Sequence, residues 1–277
     1  MASDPQIFRR FADLSHGQVH YREAGAGEVL LLLHGSPGSS RQLVRLIARF
    51  ASAMRVIAPD TPGNGDSVPL LIEAPTIVDL AKTTLEFMDN QGIASAHVYG
   101  SHTGSAIGAE LALLAPDRVR SLVFDGVGHW EGDALADVLA NYANPFTPDT
   151  QGDYLQRLLE FCQNQYLFYP WYRRTEEARR TGGLPPPDDF HGLVTEVMKG
   201  ATTFHRNYRA AFQWDARGRL PLVTRPTLFM ASESDPLFED TRMLAAGGRF
   251  APLPPLTDPA FADARQAAMT QFFAIEG

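Results

Sequence analysis

A histidine between two glycines has the most distinctive chemical setting in this sequence. Gly100, His102 and Gly104 form the pattern G-x-H-x-G. The apolar run Ala96 to Tyr99 predicts a strand before it, and helically spaced apolar residues predict a helix after it, ending before Pro116. Strand, sharp turn and helix form the G-x-S-x-G nucleophile elbow, which holds its central residue at a strained backbone angle. Histidine stands here where the serine belongs, and an imidazole can act as a base or as a nucleophile.

The elements around this elbow alternate strands with helices. The apolar run Val29 to Leu33 is typical of a strand that is buried on both faces of a parallel sheet. Further strands are predicted at 55–58 and 120–124, and a helix is predicted from 76 to 90. This alternation predicts an α/β fold of the doubly wound type, with a mostly parallel twisted sheet and helices on both faces.

Four motifs in this order resemble the α/β-hydrolase superfamily, in particular lid-containing members such as epoxide hydrolases, esterases and dehalogenases. The motifs are His34-Gly35-Ser36-Pro37-Gly38, Asp60-Thr61-Pro62-Gly63-Asn64-Gly65-Asp66-Ser67, the elbow with Pro116-Asp117-Arg118-Val119, and Pro226 to Met230 leading to Ser234-Asp235-Pro236. The resemblance implies an α/β-hydrolase core formed by residues 1–128 and 223–277. It also implies a helical lid at residues 129–222, a stretch that breaks the α/β rhythm and is rich in aromatic residues.

In this superfamily a serine attacks the substrate, a histidine near the C-terminus activates it, and an acid orients the histidine. The resemblance assigns the acid to Asp235. The histidine is missing, because no histidine follows His205 and the position of the usual base falls near Pro252. With two of the three residues absent, an ordinary Ser-His-Asp esterase is excluded.

His102 can take over part of this machinery. Its side chain is longer than serine and is expected to lie beside the space of the missing imidazole, so it could contact Asp235 directly, with Asp125 as the competing acid. A carboxylate on one ring nitrogen fixes the tautomer and makes the other nitrogen a better base. The resemblance places the oxyanion-hole donors at the backbone N–H groups of Ser36 and Thr103. The alternative interpretation is that His102 is a degenerate elbow residue with no catalytic duty.

Four residues are candidates for contacts to a substrate. His34 lies in the first motif, and Trp130, Phe168 and Trp171 are aromatic residues of the predicted lid. The simpler interpretation is that His34 supports its turn by a hydrogen bond and that the aromatic residues pack the interior of the lid.

The leading functional hypothesis is an enzyme that cleaves a small, largely apolar carbonyl compound: an ester, a lactone or an activated C–C bond. His102 would serve as general base, or as a nucleophile that forms an acyl-imidazole. A lyase or isomerase that abstracts a proton would use the same residues. A catalytically degenerate protein that binds a small ligand under its lid, and a scaffold protein, are the other possibilities. A cofactor-free oxygenase is disfavoured, because such members of the superfamily use the missing histidine.

Composition limits the partners. The net charge of −8 disfavours nucleic acid, and no apolar run approaches the about 20 residues that span a bilayer. No signal peptide is expected in Met1–Pro5, and the lone Cys162 fits a reducing cytoplasm. Histidine and cysteine spacing predicts no metal site, and no dinucleotide fingerprint is present. We therefore expect a cytoplasmic, cofactor-free monomer or homodimer whose partner is a small-molecule substrate, not a nucleic acid or a membrane.

Overall fold

The computed structural model describes residues 5–276, so residues 1–4, part of the stretch in which no signal peptide is expected, lie outside it. The strands are β1 (Phe8–Leu14), β2 (Gly17–Ala24), β3 (Val29–Leu33), β4 (Arg55–Pro59), β5 (Ala96–Ser101), β6 (Val119–Asp125), β7 (Thr227–Ser232) and β8 (Arg249–Leu253). Within the described residues they form one sheet in the order β1-β2-β4-β3-β5-β6-β7-β8. β2 is antiparallel to β1 and β4, and the other neighbouring strands are parallel. The predicted mostly parallel α/β sheet is confirmed.

Helices cover both faces of this sheet. Those of the core are α1 (Val44–Phe50), α2 (Ile77–Asn90), α3 (Thr103–Leu114), α9 (Phe238–Leu244) and α10 (Phe261–Glu276). Strand β3 is apolar on both faces, because successive side chains of a strand point to opposite sides of the sheet and all its residues are apolar. Leu31 and Leu33 pack in the apolar layer with α2 and α3, whereas Leu30 and Leu32 pack in the layer with α1 and α10.

Between β6 and β7 the chain leaves the sheet, and we refer to residues 129–222 as the helical insertion. It contains α4 (Gly132–Asn141), α5 (Asp153–Leu167), α6 (Pro187–Lys199), α7 (Phe204–Phe212) and α8 (Ala216–Arg219). Its helices pack around a separate apolar cluster that includes Phe146, Phe161 and Phe204. Every described helix of the chain is too short or too polar to span a membrane.

The helical insertion is attached to the core by polar contacts to α3 and to the loop after β4. Glu110 of α3 is buried and accepts hydrogen bonds from Trp214 (2.8 Å) and from Arg219 (2.6 and 2.7 Å). Asn207 donates to the carbonyl of Pro62 at 3.0 Å. A buried carboxylate is stable only when it is paired, so these bonds hold the insertion over the carboxyl ends of the strands.

Candidate active site

His102 lies at the sharp turn between β5 and α3. Its backbone angles are φ 48° and ψ −108°, a conformation that non-glycine residues rarely adopt. The turn is held by main-chain bonds on both sides: the N–H of His102 donates to the carbonyl of Asp125 (3.1 Å), and the N–H of Ser105 donates to the carbonyl of His102 (2.9 Å). The sequence pattern therefore folds as a nucleophile elbow with an imidazole at its tip.

The two glycines of the pattern are required by close backbone approach. A Cβ atom at Gly100 would lie 2.3 Å from the carbonyl oxygen of Gly104, and one at Gly104 would lie 2.1 Å from that of Leu33. Side-chain atoms do not approach backbone this closely, so any larger residue would push the strand and helix apart. The elbow is thus built from backbone and glycine, independently of the side chain at 102.

The imidazole of His102 contacts Asp235, which follows β7. Nε2 of His102 lies 2.8 Å from Oδ2 of Asp235, while Oδ1 of Asp235 accepts a hydrogen bond from the N–H of Leu237 (2.8 Å). Burial by itself lowers the pKa of His102, but the charge of Asp235 and this hydrogen bond outweigh it, so the pKa is raised. Burial tends to raise the pKa of Asp235, but the opposing effect of His102 lowers it. An acceptor at Nε2 places the proton of the neutral ring on Nε2 and leaves Nδ1 as the basic atom.

Asp125, the competing acid at the end of β6, is engaged elsewhere. Its Oδ2 atom accepts a hydrogen bond from the hydroxyl of Tyr99 (2.7 Å) and lies 3.7 Å from the guanidinium of Arg265 in α10. Burial raises the pKa of this carboxyl. The structure therefore joins His102 to Asp235 through its side chain and to Asp125 only through the backbone.

Glycine residues also set the position of the imidazole. Gly126 has φ +81°, and a Cβ atom there would lie 2.4 Å from Cδ2 and 2.7 Å from Nε2 of His102. On another side, a Cβ atom at Gly35 would lie 3.4 Å from Cβ of His102. The edge that carries Cδ2 and Nε2 is thus enclosed by Gly126 and Asp235, and Nδ1 belongs to the opposite edge. The side chain remains 39% exposed and lines the cavity described below.

The expected oxyanion-hole residues lie next to each other beside the elbow. Thr103 is the first residue of α3, where backbone N–H groups have no partner within the helix. Its hydroxyl accepts a 3.5 Å bond from the N–H of Ser36, and both residues line the cavity. The two expected donors thus lie at the N-terminal end of α3, where that of Ser36 is bonded to the hydroxyl of Thr103, and the oxyanion hole stays a prediction.

His34 supports the loop of Ser36 and does not reach the cavity, which corrects its prediction as a substrate contact. It is fully buried: Nδ1 lies 3.0 Å from the carbonyl oxygen of Gly35, and Nε2 accepts a bond from the N–H of Thr61 at 2.9 Å. Burial lowers the pKa of His34, so the neutral form is favoured. The hydrogen bond to its own turn, the simpler interpretation from sequence, is what the structure contains.

A cavity of about 350 Å³ lies between the elbow and the helical insertion. Trp130 lines it as predicted, but Phe168 and Trp171 lie outside its lining, which corrects those two predictions. Phe168 is covered by the guanidinium of Arg179, 5.5 Å from the ring centre. Trp171 packs on Phe161 in the interior of the insertion, with ring centres 5.1 Å apart. Their aromatic character alone did not indicate which way the side chains point.

Several lining residues were missed from sequence. Tyr142 donates to the amide oxygen of Gln165 (3.3 Å), whose nitrogen donates to the hydroxyl of Tyr208 (3.4 Å). Tyr169 and Arg180 line the same side. The only available signal was the spacing of Phe161 and Gln165, four residues apart on one face of α5, because the other residues come from separate helices and loops.

The predicted location of the missing base is also corrected. Pro252 lies within β8, where it is exposed and paired in register with Ala231, and it does not line the cavity. The cavity side is instead lined by Leu256 of the loop after β8 and by Phe261 and Arg265 of α10. Counting residues backward from Asp258 misplaced the site because it assumed an ordinary loop length.

A possible metal-ligand group lies apart from this cavity. Ligand atoms of His20, Asp60 and Asp66 lie within 4.8 Å of one another. They already have protein partners: Asp60 binds His20 (2.8 Å) and the N–H of Ser40 (2.7 Å), and Asp66 pairs with Lys199 (2.9 Å). The contacts are those of a polar network that supports the loops after β3 and β4.

The sequence profile of the family described as alpha/beta hydrolase fold matches residues 28–254. The chain is 38% identical over 114 residues to the dihydrolipoyllysine-residue acetyltransferase component of the acetoin cleaving system of Cupriavidus necator, covering 41% of this chain and 30% of the relative. It is 33% identical over 141 residues to haloalkane dehalogenase 2 of Mycobacterium tuberculosis, covering 48% of each chain. It is 36% identical over 121 residues to 2-hydroxy-6-oxo-6-phenylhexa-2,4-dienoate hydrolase of Comamonas testosteroni, covering 42% of each. The chain thus spans less than half the length of these curated relatives.

Solved structures resemble the whole chain. An epoxide hydrolase from an endophytic Streptomyces has a TM-score of 0.73 at 20% identity, covering 99% of this chain and 96% of its own. The enol-lactonase from Burkholderia xenovorans LB400 has a TM-score of 0.71 at 20% identity, covering 96% and 100%. At these identities the similarity to solved structures shows the fold alone. The match to the family profile covers most of the sequence and shows the family. The protein therefore belongs to the alpha/beta hydrolase fold family.

Proposed function

We propose that this protein is a hydrolase that cleaves a small carbonyl compound with a largely apolar body, such as an ester, a lactone or a compound with an activated C–C bond. The observation that carries the proposal is the 2.8 Å contact between Nε2 of His102 and Asp235 at the tip of a nucleophile elbow. The hydrolase name of one relative, the 2-hydroxy-6-oxo-6-phenylhexa-2,4-dienoate hydrolase, and the lactonase name of a structural neighbour support the same reaction class.

In the proposed reaction Nδ1 of His102 takes a proton from water, and the water oxygen attacks the carbonyl carbon. The carbonyl oxygen becomes negative and accepts hydrogen bonds from the N–H groups of Ser36 and Thr103. When the bond to the leaving group breaks, the imidazolium returns its proton to that group. Asp235 stabilises the imidazolium between the two steps and keeps Nδ1 free in the resting enzyme. In the less favoured variant Nδ1 attacks the carbonyl carbon itself and the bond to the leaving group breaks, with a proton from the cavity solvent taken up by that group and the Nε2 proton passing to Asp235; water then hydrolyses the acyl-imidazole.

We propose that the reaction needs no cofactor, because a base held by a carboxylate and two backbone donors suffice for hydrolysis of a carbonyl compound. We propose that residues 129–222 act as a lid, since their tyrosines and Trp130 enclose the cavity above the elbow. Exclusion of water would strengthen the interactions at the oxyanion hole. The lone Cys162 is buried, and burial raises the pKa of its thiol to about 12, which fits an inert residue in a reducing cytoplasm.

A second candidate is a lyase or isomerase in which Nδ1 removes a proton next to the carbonyl. The same base and the same oxyanion donors serve that reaction, because an enolate also places negative charge on oxygen. Incorporation of oxygen from labelled water separates the two, since only hydrolysis transfers it to a product.

The test is a mass-spectrometric screen of esters, lactones and β-diketones with the wild-type protein and His102→Ala side by side. We expect His102→Ala to lower the rate on the best substrate by ~10²- to 10⁴-fold, the usual contribution of a positioned acid–base group. Binding should change much less, because the base acts mainly in the transition state. His102→Ser should be as inactive as the alanine variant, since the serine would have no base. Turnover by His102→Ala at the wild-type rate would overturn the proposal.

A further inference from the structure

Arg180 brings a positive charge to the end of the cavity that holds His102. It lies in the segment between α5 and α6, is half-buried and lines the cavity. Its Nη1 atom donates to the backbone carbonyl of Gln165 (2.6 Å), and Nη2 lies 3.4 Å from the carbonyl oxygen of Ser234. Ser234 directly precedes Asp235, the partner of His102. The guanidinium is therefore held only a few bond lengths from the proposed reacting centre.

The other charged groups of the cavity are already paired. Asp235 contacts His102 and Asp125 contacts Arg265. Within residues 5–276, Arg180 has no carboxylate within 4.0 Å, and its two hydrogen-bond partners there are neutral carbonyl groups. A guanidinium has more N–H donors than these bonds use, and a fork of such donors matches a carboxylate. The guanidinium of Arg180 thus lines the cavity with N–H donors that no carboxylate within 4.0 Å uses, and Asp235 acts on it only at longer range.

Neighbouring arginines of the same segment behave differently. Arg173 pairs with Asp137 (2.7 Å), Arg174 with Glu160 (3.1 Å) and Arg179 with Glu176 (3.2 Å), all at exposed positions. Arg180 also stabilises the C-terminal end of α5, where carbonyl groups attract a cation. That role explains the hydrogen bond of Arg180 to Gln165. It does not explain why the guanidinium lines the cavity with no carboxylate as its partner.

We propose that Arg180 forms a subsite for a carboxylate of the substrate, and that the substrate is a carbonyl compound with a carboxylate a few bonds from the reacting carbonyl, such as an oxo acid or the half-ester of a short diacid. The inference rests on the proposed function and narrows its substrate class. The apolar body of the molecule would lie against Trp130 and the tyrosines of the helical insertion, and the carboxylate would pair with the guanidinium.

Binding of non-hydrolysed probes tests this subsite without requiring turnover. The probes are benzoylformate and 3-benzoylpropionate, with their neutral primary amides as matched compounds, and affinity is measured by calorimetric titration. Arg180→Gln should weaken binding of at least one acid by ~10- to 100-fold, the loss expected for charge-assisted hydrogen bonds, and leave amide binding unchanged. Arg179→Gln removes the adjacent charge outside the cavity and should change neither. Arg180→Lys keeps the charge but not the fork, and should give an intermediate affinity for the acid.

Equal affinity of acid and amide for the wild-type protein would overturn the proposal, as would acid binding that Arg180→Gln leaves unchanged. If Arg180→Gln unfolds, the comparison between the wild type and Arg180→Lys decides in its place. Equal affinity of the two proteins for the acid would show that the forked donors of the guanidinium do not bind the carboxylate, and would overturn the proposal. Repeating the titrations in a His102→Ala background separates this inference from the proposed function. A retained Arg180 dependence there supports the subsite even if His102→Ala proves fully active, and a lost dependence counts against it.

Discussion

Replacing Asp235 with asparagine tests which carboxylate serves His102. The two charge centres lie about 4 Å apart around the 2.8 Å bond, which at an effective dielectric constant of about 20 corresponds to ~4 kcal/mol. Because the imidazole is 39% exposed, solvent screening reduces this to ~2–3 kcal/mol, or about 30- to 150-fold in rate. The asparagine amide also favours the wrong tautomer, so we expect a total loss of ~10²- to 10⁴-fold in kcat.

The assay combines kinetics with an NMR titration of the His102 ring from about pH 5 to about pH 9, which needs no substrate. In the wild type the pKa of His102 is raised, since the effect of Asp235 outweighs burial. In Asp235→Asn only the weaker effect of Asp125 still opposes burial, so the pKa of His102 should fall and the acid limb of kcat/KM should move to lower pH with it. His102→Gln identifies the signal.

Asp125→Asn is the matched control, because it removes one negative charge from the same cavity at the neighbouring strand. Its carboxylate is bound to Tyr99 and Arg265, so we expect less than a tenfold loss of kcat and a smaller fall in the pKa of His102. The reasoning is refuted if Asp125→Asn lowers the pKa of His102 as much as Asp235→Asn does, or if Asp235→Asn leaves the NMR titration unchanged.

Three further perturbations follow from the structure. Gly126→Ala should lower kcat by more than ~10-fold, because its Cβ atom would lie 2.4 Å from the His102 ring. The control Gly92→Ala, also at positive φ but with nothing within 4 Å, should cost only ~1 kcal/mol of stability, and equal kinetics in the two variants would contradict the prediction. Burial tends to raise the pKa of Asp60, but hydrogen bonds from His20 and Ser40 lower it to about 2. The ionised carboxylate should therefore contribute ~2 kcal/mol to the free energy of unfolding above about pH 4, and this contribution should be lost as the pH falls toward 2. Denaturant unfolding measures it, with Asp60→Asn as the reference. Phe204→Ala should cost ~3–5 kcal/mol in the same assay because the ring is buried within the helical insertion, and a cost below ~1 kcal/mol would show that the insertion is loosely packed.

The backbone of the site was predictable because short-range patterns determine it. The run Val29 to Leu33 forms a strand with those bounds, and the G-x-H-x-G pattern forms the elbow, because glycines and apolar period act locally. The order of the strands was not predicted, because no local pattern determines which strands become neighbours in the sheet.

The side chains of the cavity were predicted less well. Phe168 and Trp171 turn away from the cavity while Tyr142 and Tyr208 face it, and helix packing within the insertion decides between these directions. Arg180 and Arg265 could not be predicted, because each reaches the cavity from an element distant in sequence. Pro252 was misplaced because counting along a loop assumes a length that the sequence does not reveal.

The construction of the elbow separates the chemistry of this fold from its stability. The hydrogen bonds that shape the turn join main-chain atoms of His102, Asp125 and Ser105, and the hydroxyl of Ser105 donates to the carbonyl of Gly100, so none of them uses the side chain of residue 102. A single codon change at position 102 can therefore exchange one reactive group for another while the oxyanion donors and the cavity persist. Substitutions at position 102 are therefore expected to alter the chemistry of the site more than the stability of the fold.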